Sequence, residues 1–232
     1  MKKKIALIIT AAIMMVATII GGTMAAIQAT TSTDREISTS NLDVKLLQED
    51  VDPDKKAEII PNGLSYVGLP GDKVKENVYA QNVGSKDMYL RITIYKAWFD
   101  ADGNKVFDLG DKVSSEESLY SAKEIEITKG SADDWFFVED QEYGEYIYCY
   151  YKKVLEPGAE TSKVMTEFSI LTGGSGTTDA TKNSNHYSGL SSQITFDVDA
   201  IQTTAGDDAI LAEWGMEATI DANGNITKIE EQ

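Results

Sequence analysis

The sequence has little of what most catalytic centres and disulfide-bonded secreted domains require. Its 232 residues include one cysteine, Cys149, and one histidine, His186. A single cysteine cannot form an internal disulfide, and a zinc protease of the His-Glu-x-x-His type needs two histidines. Gly-x-Ser-x-Gly, Ser-x-x-Lys and phosphate-loop motifs are also missing. We therefore expect a fold held together by core packing, and no enzyme.

Positive charge is also scarce. The chain has 21 lysine and arginine residues against 38 acidic residues, for a formal net charge of −17. Such a surface repels the phosphates of nucleic acids and anionic lipid headgroups. Nucleic acid is therefore not expected as a partner.

Long apolar runs are missing except at the start of the chain. Lys2, Lys3 and Lys4 precede an apolar stretch over residues 5–20, and Thr23-x-Ala25 follows as a small-residue cleavage site. This order is typical of a secretory signal peptide over residues 1–25, cleaved after Ala25. An uncleaved membrane anchor is the alternative. We expect a secreted, extracellular protein that has no membrane association after cleavage.

Alternating apolar residues are abundant. After the turn signal Pro70-Gly71-Asp72, the residues Val74, Val78 and Ala80 share one face, and later Leu90, Ile92 and Ile94 alternate with polar or aromatic residues. A period of two predicts half-buried antiparallel strands. Many such segments predict an all-β fold, a jelly-roll or Ig-like antiparallel β-sandwich, with a short helix over residues 207–214 near the C-terminus.

The composition divides the mature chain into three parts. Residues 26–40 are polar and predict a flexible N-terminal arm, residues 41–215 contain the strands of the sandwich, and residues 216–232 form a C-terminal hairpin or tail. Within the sandwich, the charged residues 112–129 read as an insertion. No internal repeat is present, so one domain is expected.

Two patterns in the sequence fit either a ligand-binding site or ordinary structure. Asp100, Asp102, Asn104 and Asp108 offer oxygen ligands that loosely resemble a Ca²⁺ loop, although position twelve is Asp111 and not a bidentate glutamate. The alternative is a simple hairpin turn. The tyrosine-rich residues 146–151 fit either a carbohydrate platform or, more commonly, strand packing. No other cofactor is indicated.

Several segments together carry a resemblance to a known family. In chain order they are Gly22-Thr23-Met24-Ala25, Pro70-Gly71-Asp72-Lys73-Val74, Asn82-Val83-Gly84-Ser85, Tyr89-Leu90-Arg91-Ile92, Trp135, Tyr150-Tyr151-Lys152-Lys153-Val154-Leu155, Pro157-Gly158, Val198-Asp199-Ala200-Ile201-Gln202 and Ala212-Glu213-Trp214-Gly215. The chain resembles the TasA/camelysin-type, SipW-dependent secreted matrix proteins of Gram-positive bacteria. Within that group it is most similar to the clostridial biofilm matrix pilins of the BsaA type.

The resemblance implies a structural subunit of pilin-like fibres in the extracellular biofilm matrix. It implies self-association by donor-strand exchange, in which the freed N-terminal segment of one subunit completes a sheet of the next, with other matrix components as further partners. The arm residues Ile27, Thr30 and Ile37 are the candidates for that contact. Two alternatives stay open: a secreted metal-dependent protease of the camelysin type, and a monomeric adhesion or binding module.

Overall fold

The computed structural model describes residues 35–39, 42–49, 57–60, 63–67, 71–106, 122–171 and 189–231. Fourteen strands and one α-helix lie in these ranges, with short 3-10 turns at Ala122–Glu124 and Thr203–Ala205. In chain order the elements are β1 Arg35–Thr39, β2 Leu42–Glu49, β3 Ala57–Ile60, β4 Gly63–Tyr66, β5 Lys73–Asn82, β6 Met88–Phe99, β7 Lys105–Val106, β8 Ile125–Lys129, β9 Trp135–Glu139, β10 Tyr146–Tyr151, β11 Met165–Ile170, β12 Ser191–Gln202, α1 Gly206–Trp214, β13 Met216–Ile220 and β14 Ile226–Glu231.

Two antiparallel sheets form the body of the molecule. The five-stranded sheet has the order β1-β2-β5-β11-β8, and the seven-stranded sheet has the order β3-β4-β12-β6-β10-β9 with β7 on β6. The longest pairing joins β6 and β12 over twelve residues, from Met88↔Gln202 to Phe99↔Ser191. The predicted all-β sandwich with a short helix near the C-terminus is confirmed.

The core lies between the two sheets and follows from the period-two patterns. On β5, every second residue from Val74 to Asn82 is buried, including Val74, Val78 and Ala80, while the alternate residues are exposed or half-buried. On β6, Leu90, Ile92 and Ile94 are fully buried, as predicted. Burial of such side chains is worth roughly 1.5–3 kcal/mol each, so this layer supplies the stability that the missing disulfides cannot.

A second, smaller core covers the outer face of the seven-stranded sheet. Helix α1 and the β13–β14 hairpin pack there, and the buried residues of this cluster are Tyr89, Tyr150, Ile210, Trp214, Met216 and Ile226. The hairpin turns around Asn223-Gly224, where Gly224 has a φ of 86°. No helix in the described ranges is long and apolar enough to cross a membrane.

Three segments differ from the sequence-based expectation. Arg35–Thr39, within the expected flexible arm, is a strand paired with β2. Ile125–Lys129, within the expected insertion, is the last strand of the five-stranded sheet. On β11 a bulge between Met165 and Glu167 breaks the strict alternation expected of a half-buried strand, so that Met165 is buried while Thr166 and Glu167 are both half-buried.

Candidate functional site

The N-terminal strand β1 lies at the edge of the five-stranded sheet. It pairs antiparallel with β2 from Arg35↔Leu46 to Thr39↔Leu42, and the register places Ile37 opposite the core residue Val44. Within the described ranges β1 pairs with β2 alone. The expected cleavage residue Ala25 and the arm residues Ile27 and Thr30 lie outside the described residues.

A buried carboxyl group lies on β5, the strand beside β2 in the same sheet. Glu76 of β5 faces the core and is fully buried, and its Oε1 accepts a hydrogen bond of 2.5 Å from Gln48 Nε2 on β2. Its Oε2 has no hydrogen-bond partner within the described part of the chain. Burial raises the pKa of Glu76 to about 8, although the bond from Gln48 opposes the shift. The side chain is therefore mostly protonated and neutral at neutral pH.

The candidate calcium residues form a tight turn that ends β6. Asp100 Oδ1 accepts hydrogen bonds from the backbone N–H groups of Asp102 (3.0 Å) and Asn104 (2.8 Å), and Oδ2 accepts one from Asn104 Nδ2. These bonds, led by that from the Asn104 backbone, lower the pKa of Asp100. The fourth candidate, Asp108, lies outside the described ranges. Among the residues that are described, no three His, Cys, Asp or Glu side chains are placed to hold a metal ion.

A second turn in the chain repeats this geometry. Asp221 Oδ1 accepts from the backbone N–H groups of Asn223 (2.8 Å) and Asn225 (2.9 Å). Its pKa is lowered by the same pattern of bonds. This turn has asparagine where the first has Asp102, so the shared geometry follows from aspartate capping its own turn and requires no ion.

The lone cysteine is enclosed in the sandwich. Cys149 lies on β10 between β6 and β9 and is fully buried. Burial raises the pKa of its thiol, so the reactive thiolate form is disfavoured. Lys129 opposes this shift, but the effect of burial is larger. The single histidine, His186, lies outside the described residues.

The tyrosines of β10 are divided between surface and core. Tyr146 is 39% exposed, whereas Tyr150 is buried against Trp214 of α1 at 5.4 Å between ring centroids. The Arg91 guanidinium lies 5.5 Å from the Trp214 ring centroid, and its Nη2 donates to Asp199 Oδ2 at 2.6 Å. Cation–π contacts of this kind stabilise packing. Tyr150 therefore helps to hold helix α1 on the sheet. Tyr146 is the exposed ring of the tyrosine-rich strand.

A cleft of about 390 Å³ lies beside β8 and β9, the last strands of the two sheets. Its charged lining includes Lys96, Lys123, Lys129, Glu126 and Glu139. Lys129 and Glu139 form an ion pair that connects the two strands. Sequence analysis did not identify this cleft, because its residues come from four separate segments.

Lys96 is the most buried of the three lysines that line the cleft. It is 5% exposed and occupies a core-facing position of β6 between Ile94 and Trp98. Its Nζ donates a hydrogen bond of 2.6 Å to the Ile125 carbonyl. Burial lowers the pKa of Lys96 to about 8, with Glu139 and Glu126 opposing the shift and Lys129 and Lys123 adding to it.

Gly144 forms the rim of the cleft. Its φ is +67°, and a Cβ at this position would lie 2.5 Å from Cγ of Lys123. The glycine therefore gives the Lys123 side chain room to cross the loop, where Lys123 Nζ donates to the Gln141 carbonyl at 2.9 Å.

Comparison of the chain with protein-family models, curated proteins and solved structures gave no match.

Proposed function

We propose that this chain is a secreted structural subunit of extracellular biofilm-matrix fibres, and that subunits join by exchanging the N-terminal strand. The observation that supports this most directly is the position of β1. It is an edge strand, it is the first strand of the described chain, and it pairs with β2 alone within the described ranges. A strand held along one edge only can leave its sheet without disturbing the core.

Strand exchange would replace the β1–β2 hydrogen bonds within one copy by the same hydrogen bonds between two copies. Opening of the β1–β2 hairpin would free the edge of β2 over Leu42–Leu46, and β1 of a second copy could restore the same register there. A free strand edge is a template for an added strand, with main-chain hydrogen bonds supplying the affinity. Because donor and acceptor are different surfaces, the contact is head-to-tail, and repetition that does not close produces a filament.

The net negative charge of the chain predicts that the salt concentration affects assembly. The proposed mature chain lacks Lys2, Lys3 and Lys4, so its formal net charge is −20 and neighbouring copies repel one another. Salt screens such repulsion over a Debye length of about 8 Å at physiological ionic strength. Fibres of this protein should therefore grow faster as the salt concentration rises.

The proposal assigns the chain no catalytic role and no bound cofactor, and export by the 1–25 signal peptide confines assembly to the outside of the cell.

Deletion of residues 26–37 tests the role of the arm. We expect the sandwich to stay folded, because the deletion leaves the core residues from Leu42 onward in the chain, and we expect fibres to be lost. Circular dichroism reports the fold, and electron microscopy with light scattering reports the fibres. If the deleted protein forms the same fibres, the N-terminal segment is not the exchanged element.

A reversible disulfide tests exchange of β1 itself. Ser38 and Asp43 are register partners across the β1–β2 hairpin, and paired residues of antiparallel strands lie within disulfide reach. The double variant Ser38→Cys/Asp43→Cys should form no fibres when oxidised and should regain them after reduction. The two single variants are matched controls. Fibre formation by the oxidised double variant would exclude exchange of β1.

A further inference from the structure

The cleft beside β8 and β9 contains a buried cation, the ammonium group of Lys96. Lys96 Nζ has one hydrogen-bond acceptor, the Ile125 carbonyl. Within the described ranges no carboxylate forms an ion pair with it. A buried ammonium group is costly unless it is paired. Methionine or leucine would fill the same core-facing position between Ile94 and Trp98 without that cost.

The neighbouring carboxylates are already engaged. Glu139 is paired with Lys129, Glu126 Oε2 accepts a hydrogen bond of 3.4 Å from Ser169 Oγ, and Asp140 Oδ1 accepts one of 3.0 Å from the Glu142 backbone N–H. Lys123 is anchored to the Gln141 carbonyl at the rim. Three lysines and three carboxylates thus line one cleft. Of the three lysines, Lys96 is the most deeply buried, and it forms no ion pair with the residues that the structure describes.

We propose that this cleft binds a small organic carboxylate, with Lys96 as the charged anchor and Lys123 as a second donor at the rim. A volume of about 390 Å³ is within the range of small-molecule sites. Ile127 and Ile147 line the same cleft and offer apolar contact to the carbon chain of the ligand. The site lies away from β1 in the five-stranded sheet, so the proposal is independent of strand exchange.

The charge state of Lys96 gives the site a pH dependence. The charged groups that act on it are Glu139 and Glu126, which favour the ammonium form, and Lys129 and Lys123, which disfavour it, and Asp140 lines the same cleft. Since its pKa is about 8, Lys96 is protonated at neutral pH and can pair with a carboxylate. Binding should weaken as the pH rises above 8, and a bound carboxylate should raise the pKa of Lys96.

The experiment is a titration of the purified protein with succinate, followed by NMR of ¹³C-labelled lysine. We expect a saturable shift of the Lys96 Cε resonance at pH 7, and an affinity at least tenfold lower in the variant Lys96→Met. Lys228→Met, on the C-terminal hairpin, is the matched control and should bind succinate as the wild type does. Chloride and phosphate at equal ionic strength test whether any anion suffices.

Two results would contradict the proposal. One is equal succinate affinity in wild type and Lys96→Met. The other is a Lys96 resonance that responds to succinate no more than to chloride or phosphate. The titration of the wild-type protein decides the question even if Lys96→Met fails to fold, because the Lys96 resonance is observed directly.

Discussion

Glu76 and Lys96 occupy comparable core-facing positions in the two sheets but differ in their access to solvent. Each is a charged residue type at a core-facing position of a long strand, Glu76 on β5 and Lys96 on β6. Burial moves the pKa of both to about 8, upward for the acid and downward for the base. At neutral pH the acid is therefore neutral, whereas the lysine keeps its charge.

The difference lies in access. Glu76 is sealed in the core and meets Gln48, while Lys96 borders a cleft that a small ligand can enter. A sealed group can avoid the cost of its charge only by binding or releasing a proton. A group at a cleft can also acquire a counter-ion from solution. The comparison therefore assigns Glu76 a role in stability and Lys96 a role in binding.

The largest expected effect concerns Glu76. Its pKa rises from 4.5 in the unfolded chain to about 8 in the fold, so the folded state holds its proton more tightly. The resulting stability is fully present below pH 4.5 and is lost as the pH rises to about 8, by an amount on the order of 5 kcal/mol. Glu76→Gln should remove most of this loss. Urea unfolding between pH 5.5 and 9 measures it.

The exposed variant Glu156→Gln is the control for that experiment. It should follow the wild-type curve, since Glu156 lies on the surface. If Glu76→Gln also follows the wild-type curve at every pH, then Glu76 is ionised in the fold and the contrast with Lys96 disappears.

The second effect has the opposite sign. The pKa of Lys96 falls from 10.5 to about 8, so its contribution to stability is present above pH 10.5 and is lost as the pH falls to 8. Lys96→Met should raise the free energy of unfolding at pH 7 by about 2 kcal/mol. It should also flatten the alkaline limb of the pH profile. Together the two groups predict that stability passes through a minimum near pH 8.

An exposed lysine in a turn supplies the comparison for the alkaline limb. Lys86→Met should leave the shape of the limb unchanged, because the Lys86 side chain is exposed. Loss of stability in Lys96→Met at pH 7, measured by urea unfolding, would show that the ammonium is already compensated in the fold.

Much of the fold could be predicted from alternation alone, and so could part of this comparison. Leu90, Ile92 and Ile94 were expected inside and are buried. The same alternation places Glu76 inward between Val74 and Val78, a signal that was available in the sequence but was passed over. The strand β8 was missed in a similar way, because Ile125 and Ile127 alternate within a charged segment.

Other features could not be predicted from local sequence. A bulge at Met165 depends on how β11 meets both of its neighbours, and no pattern within the strand marks it. The cleft depends on topology, because β8 and β9 end different sheets. Local sequence does not indicate that Lys123 and Lys129 lie beside Lys96. The proposed exchange of β1 likewise depends on an edge position that only the strand order defines.

The smallest effect tests the rim of the cleft. Gly144→Ala places a methyl group 2.5 Å from Cγ of Lys123 and adds a side chain at a φ of +67°. We expect a loss of about 1–2 kcal/mol in the free energy of unfolding, from left-handed strain and from displacement of Lys123. Gly158→Ala is the matched control, since it has a φ of +80° and nothing within 4 Å of the added Cβ.

The difference between these two alanine variants isolates the contact with Lys123 from the backbone strain that both share. If Lys123 is a donor to the bound carboxylate, Gly144→Ala should also weaken succinate binding, by less than Lys96→Met does, while Gly158→Ala should leave binding unchanged. Urea unfolding and the same NMR titration measure the two quantities on one set of proteins. Equal succinate affinity in Gly144→Ala and Gly158→Ala would confine binding to the buried Lys96, because the rim lysine could then be displaced without consequence.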